Sequence, residues 1–308
     1  MLPISFLLTC LLSALACSAR VLGDTDSLYP RAGYLQQVTN FGSNPTNVGM
    51  YIYVPNNLAA KPGIIVAIHY CTGSANAYYT NSPYASLAER HGFIVIYPQS
   101  PYSGACWDVS SEATLTHNGG GNSNSIANMV TWTISRYNAD TSKVFVTGTS
   151  SGAMMTKQNV MAATYPNLFA AATVYSGVPA GCFYSSSNQV DAWNNNCSQG
   201  RSITTPAHWA AIAEAMDPGY NGARPRMQIY HGSADTTLYP QNYYETVKQW
   251  AGVFGYNYDA PARTEANTPQ YNYVTTVWGD KLQGIYATGV GHTVPIHGDQ
   301  DMAWFGFA

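Results

Sequence analysis

Charged residues make up only 9% of this 308-residue chain, and neither sign dominates: 13 lysines and arginines stand against 16 acidic residues, a net charge of −3. With no basic field to concentrate nucleic acid or anionic lipid, neither is expected as a partner. Beyond the N-terminus no apolar run approaches the length of a bilayer span, so no membrane association is expected once that N-terminus is removed. No two cysteines stand at the close Cys-x-x-Cys spacing that zinc sites use, and no metal is expected. The chain has no internal repeat and no Pro/Ser/Thr-rich linker, which argues against an appended binding module.

What is present is enough for one sizeable core: 46% of residues are hydrophobic, and α/β folds of this length commonly stay undivided. Tyrosine numbers 24. The surface left to Tyr, Asn, Ser, Thr and Gly suits stacking against sugars and, equally, plain secreted polarity. Residues 1–19 read as an export signal. Ile4 to Leu15 is largely apolar, and Ala14-Leu15-Ala16 and Cys17-Ser18-Ala19 offer small-residue cleavage sites, although no Lys or Arg precedes the run. Residues 20–31 form a pro-segment or N-terminal arm, and residues 32–308 a single catalytic domain, expected to be a secreted monomer.

With Cys10 and Cys17 in the signal, Cys71, Cys106, Cys182 and Cys197 remain. An even count in an oxidising compartment predicts two disulfides, and four cysteines permit three connectivities. The pairing preferred here is Cys71 with Cys106 and Cys182 with Cys197. The second pair closes a polar, Asn-rich loop, worth roughly 3 kcal/mol in the chain-entropy model. Inside that loop Asn196-Cys197-Ser198 is a formal glycosylation sequon, with Asn196 as acceptor.

From residue 63 onward, short β-branched runs alternate with segments of helical period, predicting a mainly parallel sheet flanked by helices. The expected strands are 63–69, 93–97, 143–146, 170–175 and 226–231. Helices are expected over 82–91, 125–137, 151–165 and 240–254, the last with Pro at its first position. Residues 270–287 read as a late strand or hairpin, and residues 35–55 as antiparallel strands at the front edge.

The sharpest signal is Gly148-Thr149-Ser150-Ser151-Gly152, a G-x-S-x-G that follows the buried strand KVFV and opens a helix. A strand-to-helix turn holds such a serine in strained backbone and sets the oxyanion beside a helix N-terminus, so Ser150 is the candidate nucleophile. In this fold the order Ser, acid, His directs the search downstream. His292, in the glycine-flanked loop Gly289-Val290-Gly291-His292-Thr293, is preferred as base over His297. His208 reads as a helix cap or surface residue, and His231, ending a buried strand, as structural. Asp235, in the loop after RMQIY, is the candidate acid, because functional groups gather at the carboxyl ends of parallel strands. The oxyanion hole would draw one amide from Ser151 and the other from Cys71 or Thr72, after the strand GIIVAI. A Cys71–Cys106 bond would stiffen that loop and bring Trp107 to the mouth of the site.

The segments AIHYCTGSA, ACWDV, VFVTGTSSGAMM, YHGSADTT and GVGHTVP, in this order, resemble the fungal acetyl xylan esterases of carbohydrate esterase family 1, which is similar to the polyhydroxybutyrate depolymerase-like esterases. The resemblance covers the chain after residue 32. It implies a secreted α/β-hydrolase without metal or organic cofactor that removes O-acetyl groups from xylan, with the triad on Ser150, Asp235 and His292. Where many relatives show His-Gly-Cys, this chain has His69-Tyr70-Cys71, and Tyr70 is expected to narrow the site. An open groove for the polysaccharide is expected, with Trp107, Trp193 and Tyr70 against the substrate. Three rivals share the chemistry: a feruloyl esterase with a deeper slot, a polyester depolymerase and a peptidase. A non-catalytic binding protein on the same scaffold would show a broken triad, and here every member is present.

Overall fold

The computed structural model describes residues 32–156 and 160–308. The export signal and N-terminal arm read from the sequence lie outside those residues. Ten strands form one sheet: β1 (Leu35–Val38), β2 (Gly49–Tyr53), β3 (Ile64–Ile68), β4 (Ile94–Gln99), β5 (Val144–Thr149), β6 (Ala171–Tyr175), β7 (Arg226–Gly232), β8 (Arg263–Ala266), β9 (Tyr273–Gly279) and β10 (Leu282–Ala287). Their order is β1-β2-β4-β3-β5-β6-β7-β10-β9-β8. The strands from β4 to β10 in that order run parallel, and antiparallel pairs finish both edges.

The central strands read as unbroken apolar runs because both faces are covered, as parallel sheets require. Alternation along each strand separates two cores. Ile64, Val66, Ile68, Val144 and Val146 point into one, under the helices Asn122–Tyr137, Pro206–Glu214 and Gln241–Phe254. Ile65, Ala67 and Phe145 point into the other, under Ala75–Asn81, Tyr84–His91 and Gly298–Phe305. Among the described residues no helix is long and apolar enough to cross a membrane.

The strands expected from β-branched runs are present to within three residues at each end, and residues 273–287 form the hairpin β9–β10. One helix differs. The stretch expected from Ser151 to Tyr165 contains Ser151–Met155 and Met161–Thr164. The first ends at Thr156, whose ψ of 178° leaves the helical region while its hydroxyl donates back to the Gly152 carbonyl. That local bond competes with helix continuation. The helix Ala75–Asn81 was not expected. It carries no strong apolar stripe, and its start is set by Ser74, whose hydroxyl accepts the Ala77 N–H at 3.0 Å.

Both expected disulfides are present, Cys71–Cys106 and Cys182–Cys197.

Candidate active site

The strand order locates the site. From β3 the chain moves outward to β4, then crosses back to β5 on the other side of β3, so β3 and β5 are neighbours whose following loops diverge. Crevices at the carboxyl ends of such a switch point are where open α/β sheets bind ligands. His69 to Gly73 leave β3 there, and Ser150 leaves β5. Two strands further along, Gly232 of β7 lies in register with Ala287 of β10, and the loops after them carry Asp235 and His292.

Ser150 has φ 56° and ψ −121°, an unfavourable conformation for a residue with a side chain, and its N–H donates to the Tyr175 carbonyl at 2.9 Å. The turn closes only because its flanks are glycines. A Cβ on Gly152 would sit 2.1 Å from the Ile68 carbonyl oxygen, and one on Gly148 would sit 2.4 Å from Thr156 Oγ1. The sequence thus lets β5, its helix and the end of β3 approach with no side chain between them.

The three candidate residues converge. His292 Nε2 lies 2.7 Å from Ser150 Oγ, and His292 Nδ1 lies 2.8 Å from Asp235 Oδ2. A carboxylate accepts only, so Nδ1 carries the proton and Nε2 is left to accept the serine hydroxyl. The other oxygen of Asp235, Oδ1, accepts the backbone N–H groups of Thr237 and Leu238, each at 2.9 Å. Burial alone would raise the Asp235 pKa, but hydrogen bonds from His231 and His292 outweigh it and hold the carboxyl well below the usual range.

A profile of the family described as Esterase PHB depolymerase matches residues 48–270. The chain belongs to that esterase family. This esterase is 77% identical over 311 residues to a probable acetylxylan esterase A of Aspergillus terreus, covering all of both chains. It is 80% identical to acetylxylan esterase A of Aspergillus awamori over 90% of this chain and 91% of the relative. The solved structure of the Aspergillus awamori acetyl xylan esterase superposes with a TM-score of 0.88, covering 90% of this chain and 100% of that one. At 12% identity and a TM-score of 0.51, esterase PE8 shares the fold over 83% of this chain. The esterase has the α/β-hydrolase fold and is a carboxylic ester hydrolase.

Around Ser150 the esterase has a groove of about 1220 Å³. Tyr70, Tyr78, Pro83, Val294 and Ile296 line one part, and Val109, Met154, Phe183, Asp191 and Trp193 another. Trp193 is 55% exposed on the groove wall, and Tyr70 is half-buried there. Trp107 departs from expectation. It borders the groove but is only 1% exposed, because its indole N–H donates to the His69 carbonyl at 2.8 Å and its ring packs in the core. It offers substrate no exposed face. Its backbone N–H donates to Ser151 Oγ at 2.8 Å, tying the start of the nucleophile's helix to the Cys71–Cys106 segment. The Thr72 amide is already engaged with the Gly104 carbonyl at 2.9 Å. Asn196 is exposed, one residue before bonded Cys197.

His208 is exposed on the first turn of its helix, and its N–H donates to the capping Thr205 hydroxyl. His297 stacks on Tyr230 and makes no contact with Ser150 or Asp235 that would place it in the triad. His231 is the residue that sequence reasoning undervalued. It is buried, its Nε2 donating to the Leu238 carbonyl at 2.8 Å and standing 3.2 Å from Asp235 Oδ2. The spacing of His231 and Asp235 in HGSAD was the available clue, since a tight turn folds residue i+4 back over the strand end. Among the described residues no cluster of His, Cys, Asp or Glu could hold a metal ion.

Proposed function

We propose that this esterase removes acetyl groups from xylan through an acyl-enzyme on Ser150. The observation that carries the reading is the unbroken hydrogen-bonded chain from Ser150 Oγ through His292 to Asp235. In the reaction, His292 Nε2 takes the Ser150 proton as Oγ attacks the acetyl carbonyl. The backbone N–H groups of Ser151 and Cys71 receive the oxyanion; the former stands at a helix start without an intrahelical acceptor, and Cys71 is preferred because Thr72 is engaged elsewhere. Protonated His292 then gives its proton to the sugar oxygen as the bond from that oxygen to the acetyl carbon breaks, and the sugar leaves with a free hydroxyl. Water, activated by the same imidazole, attacks the acyl-enzyme and releases acetate. Asp235 stabilises the imidazolium throughout without taking its proton.

The substrate follows from the acetylxylan esterase relatives and from the groove, which is open enough for a polymer and walled by Trp193 and Tyr70. The two disulfides fit an oxidising compartment, and with the apolar N-terminal run they support secretion. The deciding experiment compares release of acetate from acetylated xylan with release of ferulate from a feruloylated arabinoxylan fragment. Dominant acetate release is expected, whereas dominant ferulate release keeps the triad and overturns the substrate.

A further inference from the structure

The loop closed by Cys182–Cys197 supplies Phe183, Asp191, Ala192 and Trp193 to the groove that holds Ser150 and His292. Its conformation is imposed from below. Asp108, buried two residues after Cys106, accepts the Asp191 N–H at 3.1 Å, as well as the N–H of Ser110, the N–H and O–H of Ser111 and the hydroxyl of Thr114. Ser110 Oγ reaches the same loop, accepting the Ala192 N–H at 2.9 Å and donating to the Gln189 carbonyl at 2.8 Å. Under this clamp Asp191 adopts φ 53°, in the left-handed region. Trp193 is oriented as well, edge-on to Phe183 with centroids 5.2 Å apart and its indole N–H donating to Asn195 at 3.0 Å.

The Asp191 carboxylate itself is exposed on the groove wall and, among the described residues, has neither a hydrogen-bond donor nor a cation beside it. Burial, joined by the charge of Asp108, pushes its pKa up. The Asp191 backbone is tied to Asp108 while its side chain stands, without a partner among the described residues, on the wall of the groove that holds Ser150 and His292, a position that points to a ligand for the carboxylate. A carboxylate only accepts, so the fitting groups are neutral hydroxyls, and two neighbouring hydroxyls can donate to its two oxygens together. An exposed indole beside it suits the apolar face of a sugar ring.

We propose that Asp191 is a specificity-determining residue, accepting hydrogen bonds from free hydroxyls of the sugar that bears the ester while Trp193 packs on the ring. This rests on acetylated polysaccharide being the substrate. The test measures kcat/KM of wild type, Asp191→Ala and Asp191→Asn on an acetylated xylo-oligosaccharide and on 4-nitrophenyl acetate, which has no sugar. Loss of a hydrogen bond to a charged acceptor lowers the oligosaccharide-to-nitrophenyl ratio about tenfold in Asp191→Ala. The fall is smaller in Asp191→Asn, whose amide oxygen still accepts and which tolerates positive φ well. In a Ser150→Ala background, calorimetry shows Asp191→Ala weakening oligosaccharide affinity by a similar factor. An unchanged ratio in both variants, or equal loss on both substrates, overturns the proposal. Hydrolysis of 4-nitrophenyl acetate by wild type with no acetate released from the oligosaccharide overturns the substrate reading and this inference with it, by a different signature.

Discussion

Asp301 sits fully buried in the C-terminal helix beneath the site, and replacing it with asparagine should change how stability responds to pH. Tyr84 and Tyr175 donate their hydroxyls to it at 2.8 Å each, Thr173 also bonds it, and Tyr78 and Tyr230 lie within electrostatic reach. Among the described residues no cation pairs with it, and burial raises its pKa from 3.8 to about 7 despite those hydrogen bonds. Between those values the folded state keeps a proton that the unfolded chain has released, so this group's contribution to stability falls as pH rises. A pKa of about 7 in place of 3.8 corresponds to about 4 kcal/mol, present in full below pH 4 and gone above pH 7. The asparagine side chain cannot ionise, so the Asp301→Asn variant lacks this slope. Denaturant midpoints of both proteins from pH 4 to pH 8, disulfides intact, isolate the term as a difference, since other titrating groups cancel. Wild type should lose about 4 kcal/mol relative to Asp301→Asn across that range. A flat difference would refute the reasoning and mean that the carboxyl is ionised in the fold at pH 4.

Ser150→Ala should leave the melting temperature within a few degrees and cut turnover by on the order of 10⁴ to 10⁶, whereas His297→Ala should keep most activity, both read on 4-nitrophenyl acetate. For His231→Ala, kcat should fall about tenfold with KM little changed, and His231→Gln should recover part of the loss because its amide can donate to the same oxygens of Leu238 and Asp235; equal kcat in wild type and the Ala variant would remove His231 from any positioning role. Replacing Cys71 and Cys106 by serine should lower kcat tenfold or more by loosening the loop that aims an oxyanion donor, an effect visible as kcat rather than KM. Gly152→Ala should unfold the protein or lower its unfolding free energy by several kcal/mol, since its Cβ meets the backbone carbonyls of Ile68 and His69; a folded, active variant would show that the elbow can relax.

The parts of this fold that were legible in the sequence are those whose local and global demands coincide. IIVAI, VFVTGT and AATVY are apolar on both faces, which only a sheet covered on both sides accommodates, and the G-x-S-x-G between strand and helix reports a turn with no room for side chains. His292 and Asp235 could be picked from chain order and loop position, because β7 and β10 become neighbours only after the hairpin β9–β10 folds back, and each carries one short loop at its carboxyl end. Trp107 was harder. A tryptophan beside a cysteine in a polar segment reads the same whether it faces substrate or core, and the difference lies in the His69 carbonyl, 38 positions away, that holds its indole inward. Asp191 gave no signal at all, since its setting depends on Asp108, 83 positions earlier. His231 read correctly as buried, but its share in Asp235 appears only once Leu238 turns back over the strand end.

The loop between Cys182 and Cys197 buries Phe183 in the core and sends Asp191 and Trp193 to the groove wall. It is stapled at its own base and clamped by Asp108 and Ser110, while Ser150, His292 and Asp235 are fixed by the sheet. Asp191 and Trp193 therefore reach the groove on a piece of chain that carries none of Ser150, Asp235 and His292. A change in this loop alters part of the groove wall while the triad keeps its own supports in the sheet.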